Sequence, residues 1–212
     1  FFKSRYLFVL IVFQQALIME TKMNDTKRKY DLVICDVDGC LAPEEPLAIN
    51  AEKFLEVSEY NSKAVQSKDR PLVTVCTGRP LPFAECVCRI IGNMTVPCIA
   101  ENGVWLYEPA TNTYLMDPEI KEQHLEAVHQ AEVWVRKEYT DQGVQKQPGQ
   151  TASSPLYNGE HELVKKTCDQ VRETVNNKGW PFRVSMSWYY INVDLVHISK
   201  ASGINRLFQI TG

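Results

Sequence analysis

Two aspartates one residue apart, Asp36 and Asp38, followed at once by Gly39, are the residues of this 212-residue chain best suited to covalent chemistry. On an extended backbone both carboxylates project to the same side with Val37 opposite. Gly39 lets the chain turn sharply and approach a ligand closely. A carboxylate can act as a nucleophile toward phosphorus if a second group protonates the leaving oxygen and a cation offsets the charge. The same residues also read as an Asp-Gly turn after a core strand, with both acids solvated or capping.

The elements that would position them are legible. Leu32-Val33-Ile34-Cys35 is a continuous apolar run, the pattern of a strand buried on both faces of a parallel sheet. Asp36 then lies at its carboxyl end, where open α/β sheets place ligands. A second run over 72–76 brings Thr77-Gly78-Arg79 to the same edge, where the Thr77 hydroxyl and the amides near Gly78 could hold a phosphoryl oxygen. Lys200 precedes a helix start at Ile204-Asn205-Arg206-Leu207-Phe208, and its ammonium could offset charge on a phosphoryl group.

Taken in order, Asp36-Val37-Asp38-Gly39-Cys40-Leu41, Thr77-Gly78-Arg79 and Lys200 with Gly203 resemble the signature of the haloacid dehalogenase-like hydrolases. Glu101-Asn102-Gly103 resembles a turn common in their Cof-type, sugar-phosphatase-like branch. The resemblance spans roughly residues 30–107 and 180–212. It implies an α/β fold with a Rossmann-like parallel sheet core, incomplete at the carboxyl end, and an inserted α+β cap. It further implies a Mg2+-dependent phosphomonoester hydrolase working through an aspartyl-phosphate. Asp36 would be nucleophile and metal ligand, Asp38 acid–base and metal ligand, and Thr77, Gly78 and Lys200 would bind the substrate phosphate. The family's fourth, acidic element is not found before Gly212, so the remaining metal ligands are expected beyond it, and the 212-residue form is expected to be weakly active or inactive. Three rivals are a phosphomutase using the same residues, a receiver-type phospho-accepting domain, and a non-catalytic phosphate binder.

The domain reading follows from composition along the chain. Residues 1–28 form an amino-terminal extension in which Lys3 and Arg5 precede the apolar run 7–13. This is signal-like, but the run is shorter than the ~20 residues of a membrane span. The expectation is a non-native or processed segment, with export or anchoring as the minor reading. The core covers 29–107, with helices over 48–61 and 80–91 and a third strand over 96–100. The pattern changes over 108–196, the expected cap, with helices over 118–139 and 160–178, loop over 143–158, and strands over 183–187 and 190–195. Residues 197–212 return to the core.

Net charge of −3 supplies no basic field for nucleic acid. Seven cysteines, several inside apolar runs and none in a CxxC pair, fit a reducing, cytoplasmic setting better than a disulfide framework. Cys86 and Cys88 read as packing residues, and His124 and His129, five apart, share no helical face and read as surface or packing residues. The expected partner is a small phosphomonoester; oligomeric state and membrane contact draw no positive signal. Arg79, Asn102, Arg183 and Tyr190 are unranked candidates for facing the substrate.

Overall fold

A computed structural model describes residues 6–8, 30–44, 47–151, 156–158, 160–187 and 190–211. Apart from its pairing over 6–8, the amino-terminal extension lies outside the described residues, as do Ser153 to Pro155 within the 143–158 loop.

The fold is mixed α/β with a parallel layer at its centre. Strand β1 (Tyr6–Phe8) pairs in parallel with β2 (Leu32–Cys35), which pairs in parallel with β3 (Leu72–Val75) in the register Cys35 to Val75. A parallel bridge from Cys76 to Ile99 joins this layer to β4 (Cys98–Ala100). From β4 the chain turns back through β5 (Trp105–Glu108) and β6 (Thr113–Met116), both antiparallel. That hairpin runs on past Glu108, where composition placed the change of pattern, because Thr113–Met116 pairs with β5 and not with the later strands.

Strands β2, β3 and β4 are covered on both faces, and alternation sends their residues to two cores. Val33, Cys35, Val73, Val75, Cys98 and Ala100 pack under the helices α1 (Ala51–Ser67) and α2 (Leu81–Ile90), against Phe54, Val57, Ala84 and Val87. Leu32, Ile34, Cys76 and Ile99 face the other way, onto Ile204 and Leu207 of the last helix, α5 (Lys200–Thr211). The uninterrupted apolar run therefore reflects burial from both sides. Helix α1 starts later than the 48–61 expected: Asn50 caps it, its Oδ1 accepting the Glu52 N–H at 3.0 Å, and it continues to Ser67 before Lys68 turns left-handed. Asn61, which ends the expected helix, lies inside the observed one and is fully buried. Its amide bonds the Val73 and Ile91 carbonyls at 3.0 and 2.7 Å, and its oxygen accepts the Val73 N–H at 2.8 Å.

A second sheet, ordered β7 (Gln145–Lys146), β8 (Leu156–Asn158), β10 (Tyr190–Leu195) and β9 (Phe182–Met186), is antiparallel throughout. Helices α3 (Glu122–Tyr139) and α4 (His161–Lys178) cover one face through Val128, Ala131, Val135, Val164, Val171 and Val175. Ile191, Val193 and Leu195 point into this core, so Tyr190, Asn192 and Asp194 line the opposite face of β10. Gly179 ends α4 in the left-handed conformation at φ 64°, as the Gly-x-Pro sequence predicts.

Helix α5 sits unusually close to the turn after β4. A Cβ added at Gly203 would lie 2.8 Å from both the Gly103 Cα and the Ile99 Cγ2. At an ordinary helical site Gly→Ala stabilises by about 1 kcal/mol. Here the sign should reverse, with Gly203→Ala destabilising by about 1–3 kcal/mol through overpacking. Urea denaturation checks this; an unchanged or raised midpoint would show that the helix has room to shift.

Candidate active site

The carboxyl ends of β2, β3 and β4 meet at one edge. Asp36 follows β2, and the Cys76 N–H donates to the Cys35 carbonyl at 2.8 Å, so the chain after β3 leaves beside it. The Thr77 N–H donates to the Ile99 carbonyl at 2.9 Å and the Thr77 carbonyl accepts the Asn102 N–H at 3.0 Å, which stitches the β3 and β4 exits together. Lys200 arrives from 164 residues away and donates its Nζ–H to Asp36 Oδ2, while Asp36 Oδ1 accepts the Val37 N–H at 2.7 Å. The structure thus gathers Asp36, Asp38, Thr77, Gly78 and Lys200 at one strand edge.

Local backbone explains each position. After Asp36, the N–H groups of Cys40, Leu41 and Ala42 all converge on the Val37 carbonyl, and Gly39 at φ +73° makes the turn. Val37 is fully buried and anchors the loop beneath the two acids. Lys200 opens α5, whose start is fixed by a reciprocal cap: Ser199 N–H to Ser202 Oγ at 2.9 Å and Ser202 N–H to Ser199 Oγ at 3.1 Å. Arg206, one to two turns on, donates to the Gly103 and Leu115 carbonyls, both at 3.0 Å, and to Asp117 at 3.3 Å, which locks the helix to the β4–β6 hairpin. Thr77 is fully buried, its Oγ1 accepting the Arg79 N–H at 3.0 Å.

The two acids do not share one partner. Asp36 meets Lys200, whereas Asp38 is held by Arg79, whose Nε lies 2.8 Å from Oδ2 and whose Nη2 lies 2.5 Å from Oδ1. Hydrogen bonding to Asp38 pushes the Arg79 guanidinium further above its ordinary value, and Tyr190 adds to it. Among thiols at the site, burial pushes Cys76 up to about 12, partly countered by Lys200. Cys35 rises because its thiol donates to Cys40, which that bond lowers.

The Glu101-Asn102-Gly103 turn was legible as a left-handed Asn-Gly turn, and it is one, with all three residues at positive φ: 48°, 55° and 111°. Non-glycine residues in this region cost about 1–3 kcal/mol each and persist only where surroundings over-determine them. Asn102 Nδ2 reaches Asp194 Oδ1 of β10 at 3.1 Å. Fully buried Glu101 accepts the Thr151 hydroxyl at 2.7 Å and its N–H at 3.2 Å, and the Leu81 N–H at the start of α2 also reaches the carboxylate. Gln150 Nε2 donates to the Gly78 carbonyl at 3.3 Å. Arg79, Glu101, Thr151, Asp194 and Arg206 carry this network. Arg79 and, as part of the Glu-Asn-Gly turn, Glu101 drew attention in the sequence, but their pairings did not, because a bonding partner tens of residues away leaves no local pattern. Of the other candidates, Arg183 pairs with Asp194 at 3.7 Å and donates to the Ile198 carbonyl, and Tyr190 lies over Arg79.

Asp36 and Asp38 supply hard oxygen donors of the kind magnesium takes. The described residues hold no group of three His, Cys, Asp or Glu side chains placed for a metal ion, and each of the two acids is met by a side-chain cation. These residues by themselves do not complete a divalent-cation site. His124 meets His197 in a tilted contact with ring centroids 4.8 Å apart and lies outside any such group.

No protein-family model matches the chain, and no curated protein matches it. Solved structures do. Low sequence identity accompanies a shared fold: an HAD/COF-like hydrolase from Plasmodium vivax superposes with a TM-score of 0.61 at 14% identity, over 85% of this chain and 74% of that one. The chain has the fold of the haloacid dehalogenase-like hydrolases. The C-terminal domain of Candida albicans trehalose-6-phosphate phosphatase matches with a TM-score of 0.59 at 17% identity, over 85% of this chain, which spans 61% of that domain's length. Sucrose-phosphatase from Synechocystis, solved with sucrose and phosphate, matches with a TM-score of 0.54 at 17% identity, over 85% and 70%. No described helix is long and apolar enough to cross a membrane.

Burial holds the Glu101 carboxyl above its ordinary value of 4.5, against the pull of its Thr151 bonds. A raised folded-state value means stability that is complete below the ordinary carboxylate range and is lost as pH rises through the folded value. Glu101→Gln removes this loss, so the variant's denaturation midpoint should gain on the parent's in the window that opens as pH rises above the ordinary value of 4.5. A constant difference over that window would show that Glu101 ionises as freely folded as unfolded.

Proposed function

We propose that this chain is a phosphomonoester hydrolase acting on a small phosphorylated metabolite, such as a sugar phosphate, with Asp36 as nucleophile. The observation that carries the reading is the Lys200–Asp36 contact at the shared strand edge, joining groups 164 residues apart. In this reading Asp36 attacks phosphorus in line, and the P–O bond to the leaving alkoxide breaks as Asp38 delivers a proton to that oxygen. Asp38 then takes a proton from a water molecule that attacks the aspartyl-phosphate, which releases inorganic phosphate and restores Asp36. Lys200 faces the charge that develops on the phosphoryl oxygens, and the Thr77 hydroxyl and the Gly78 amide supply donors to them.

The part of 108–196 that follows β6 acts as a cap that excludes water and reads the rest of the substrate. The polar face of β10, with Tyr190, Asn192 and Asp194, supports this, since Asn102 and Arg79 at the strand edge both contact it. Magnesium belongs to the proposal through the fold. Asp36 and Asp38 would contribute to holding it, and when bound it would offset negative charge at the phosphoryl group. The seven free thiols support a reducing, cytoplasmic setting. Phosphate binding without turnover is the second reading, favoured by the Arg79 clamp on Asp38.

Phosphate release from a panel of sugar phosphates, with magnesium or with EDTA, separates the two. The parent should turn over with magnesium. Asp36→Asn should fall to background, and Lys200→Ala should lose about 10²-fold or more in kcat. A folded parent that binds inorganic phosphate yet releases none from any substrate would leave only the binding role.

A further inference from the structure

Asp38 is placed by a second residue, and that residue reaches across to the four-stranded sheet. Both Asp38 oxygens are engaged by the Arg79 fork, Oδ2 by Nε at 2.8 Å and Oδ1 by Nη2 at 2.5 Å, with Nε also 3.1 Å from Oδ1. The two side chains are each only 23% exposed, so the pair is partly withdrawn from solvent. The guanidinium is in turn fixed by rings: its Cζ lies 5.4 Å from the Phe83 centroid of α2 and 5.8 Å from the Tyr190 centroid of β10. The backbone N–H of Arg79 donates to Thr77 Oγ1, and its carbonyl accepts the Glu101 N–H at 3.0 Å, so the residue itself has little freedom to move.

Arg is the side chain suited to this task. Its planar fork matches a carboxylate with two parallel bonds and stacks on aromatic faces, which a lysine ammonium cannot do. We propose that Arg79, steadied by Tyr190 from the four-stranded sheet, is the positioning residue of Asp38. It sets the rotamer of the carboxylate assigned the proton transfers and ties that rotamer to the placement of β10.

A carboxylate with both oxygens in a guanidinium fork is an acceptor only; it must leave the fork to carry a proton to a leaving oxygen. Movement of Tyr190 with its strand loosens one wall of the guanidinium's slot and so governs when Asp38 is free. The role assigned to Asp38 rests on the phosphomonoesterase reading, whereas the clamp and its link to β10 do not.

The test therefore has two arms on the full chain. In the first, the Arg79 Nε–H proton resonance is followed by NMR. It should be shifted downfield and protected from solvent exchange in the parent and in Tyr190→Phe, which keeps the ring. It should lose both features in Asp38→Asn and be displaced in Tyr190→Leu. A resonance indifferent to Asp38→Asn or to Tyr190→Leu overturns the proposal, whether or not the protein turns over. A far-ultraviolet spectrum and melting curve for each variant keep misfolding apart from loss of the contact.

In the second arm, Arg79→Ala should lower kcat about 10- to 100-fold, up to the lower end of the ~10²–10⁴-fold that a positioned acid–base group contributes, with KM changed by less than about threefold. Millimolar guanidinium should restore part of the loss, and Arg79→Lys should not. A raised KM with unchanged kcat would make Arg79 a substrate-binding group and overturn the positioning role. If the parent releases no phosphate from any substrate, the hydrolase reading fails and the first arm alone decides the clamp.

Discussion

The close approach of backbone to backbone where Gly203 of α5 lies on Gly103 is the constraint from which the site's geometry follows. A Cβ at Gly103 would stand 2.3 Å from the Ser199 carbonyl oxygen, so neither glycine can carry a side chain without parting the two segments. With them in contact, the Ser199–Ser202 cap sits against the turn after β4 and Lys200 projects to Asp36. The long Lys side chain adapts, but its root does not. Arg206 adds a second fastening by donating to the Gly103, Val104 and Leu115 carbonyls of the hairpin.

The same turn connects the parallel layer to the second sheet. Three successive residues at positive φ are unfavourable, and two of them are not glycine. Their side chains show what offsets the cost. Glu101 draws in Thr151 and the first turn of α2, and Asn102 draws in Asp194. The strained turn is thus both a product of the tertiary contacts and the means by which they meet at the strand edge. Strain concentrated beside candidate catalytic groups is consistent with a site whose geometry is held before any ligand arrives.

Electrostatics at the edge are arranged in pairs. Lys200 meets Asp36 and Arg79 meets Asp38, each pair partly buried, where charge interactions are stronger than in open water. The pairing distinguishes two carboxylates that look equivalent in the sequence. One carries a flexible ammonium and remains approachable from the strand edge; the other carries a rigid fork that occupies both oxygens. The hydrogen bond to Cys40 keeps the Cys35 thiol protonated and burial does the same for Cys76, so both behave as small packing groups beneath the acids.

Much of this was legible in order along the chain. The double-sided burial of β2 and β3 follows from continuous apolar runs, the turn at Gly39 from its residue type, and the end of α4 from Gly179 before Pro181. Alternation along β10 marked Ile191, Val193 and Leu195 as the core face. These are local regularities, set by the period of the backbone and by the conformations each residue tolerates. Hairpin β5–β6 was less legible, because its outer strand is largely exposed and lacks the apolar signal of a core strand. The partner of each charge was not legible at all. That Asp38 belongs to Arg79, that Glu101 is buried against Thr151, and that Asn102 meets Asp194 depend on where helices and sheets dock. Sequence by itself determined which residues could do chemistry and which edge they would reach. Only the tertiary structure decided which cation each carboxylate meets, because that choice turns on distances of a few ångströms between segments up to 164 residues apart.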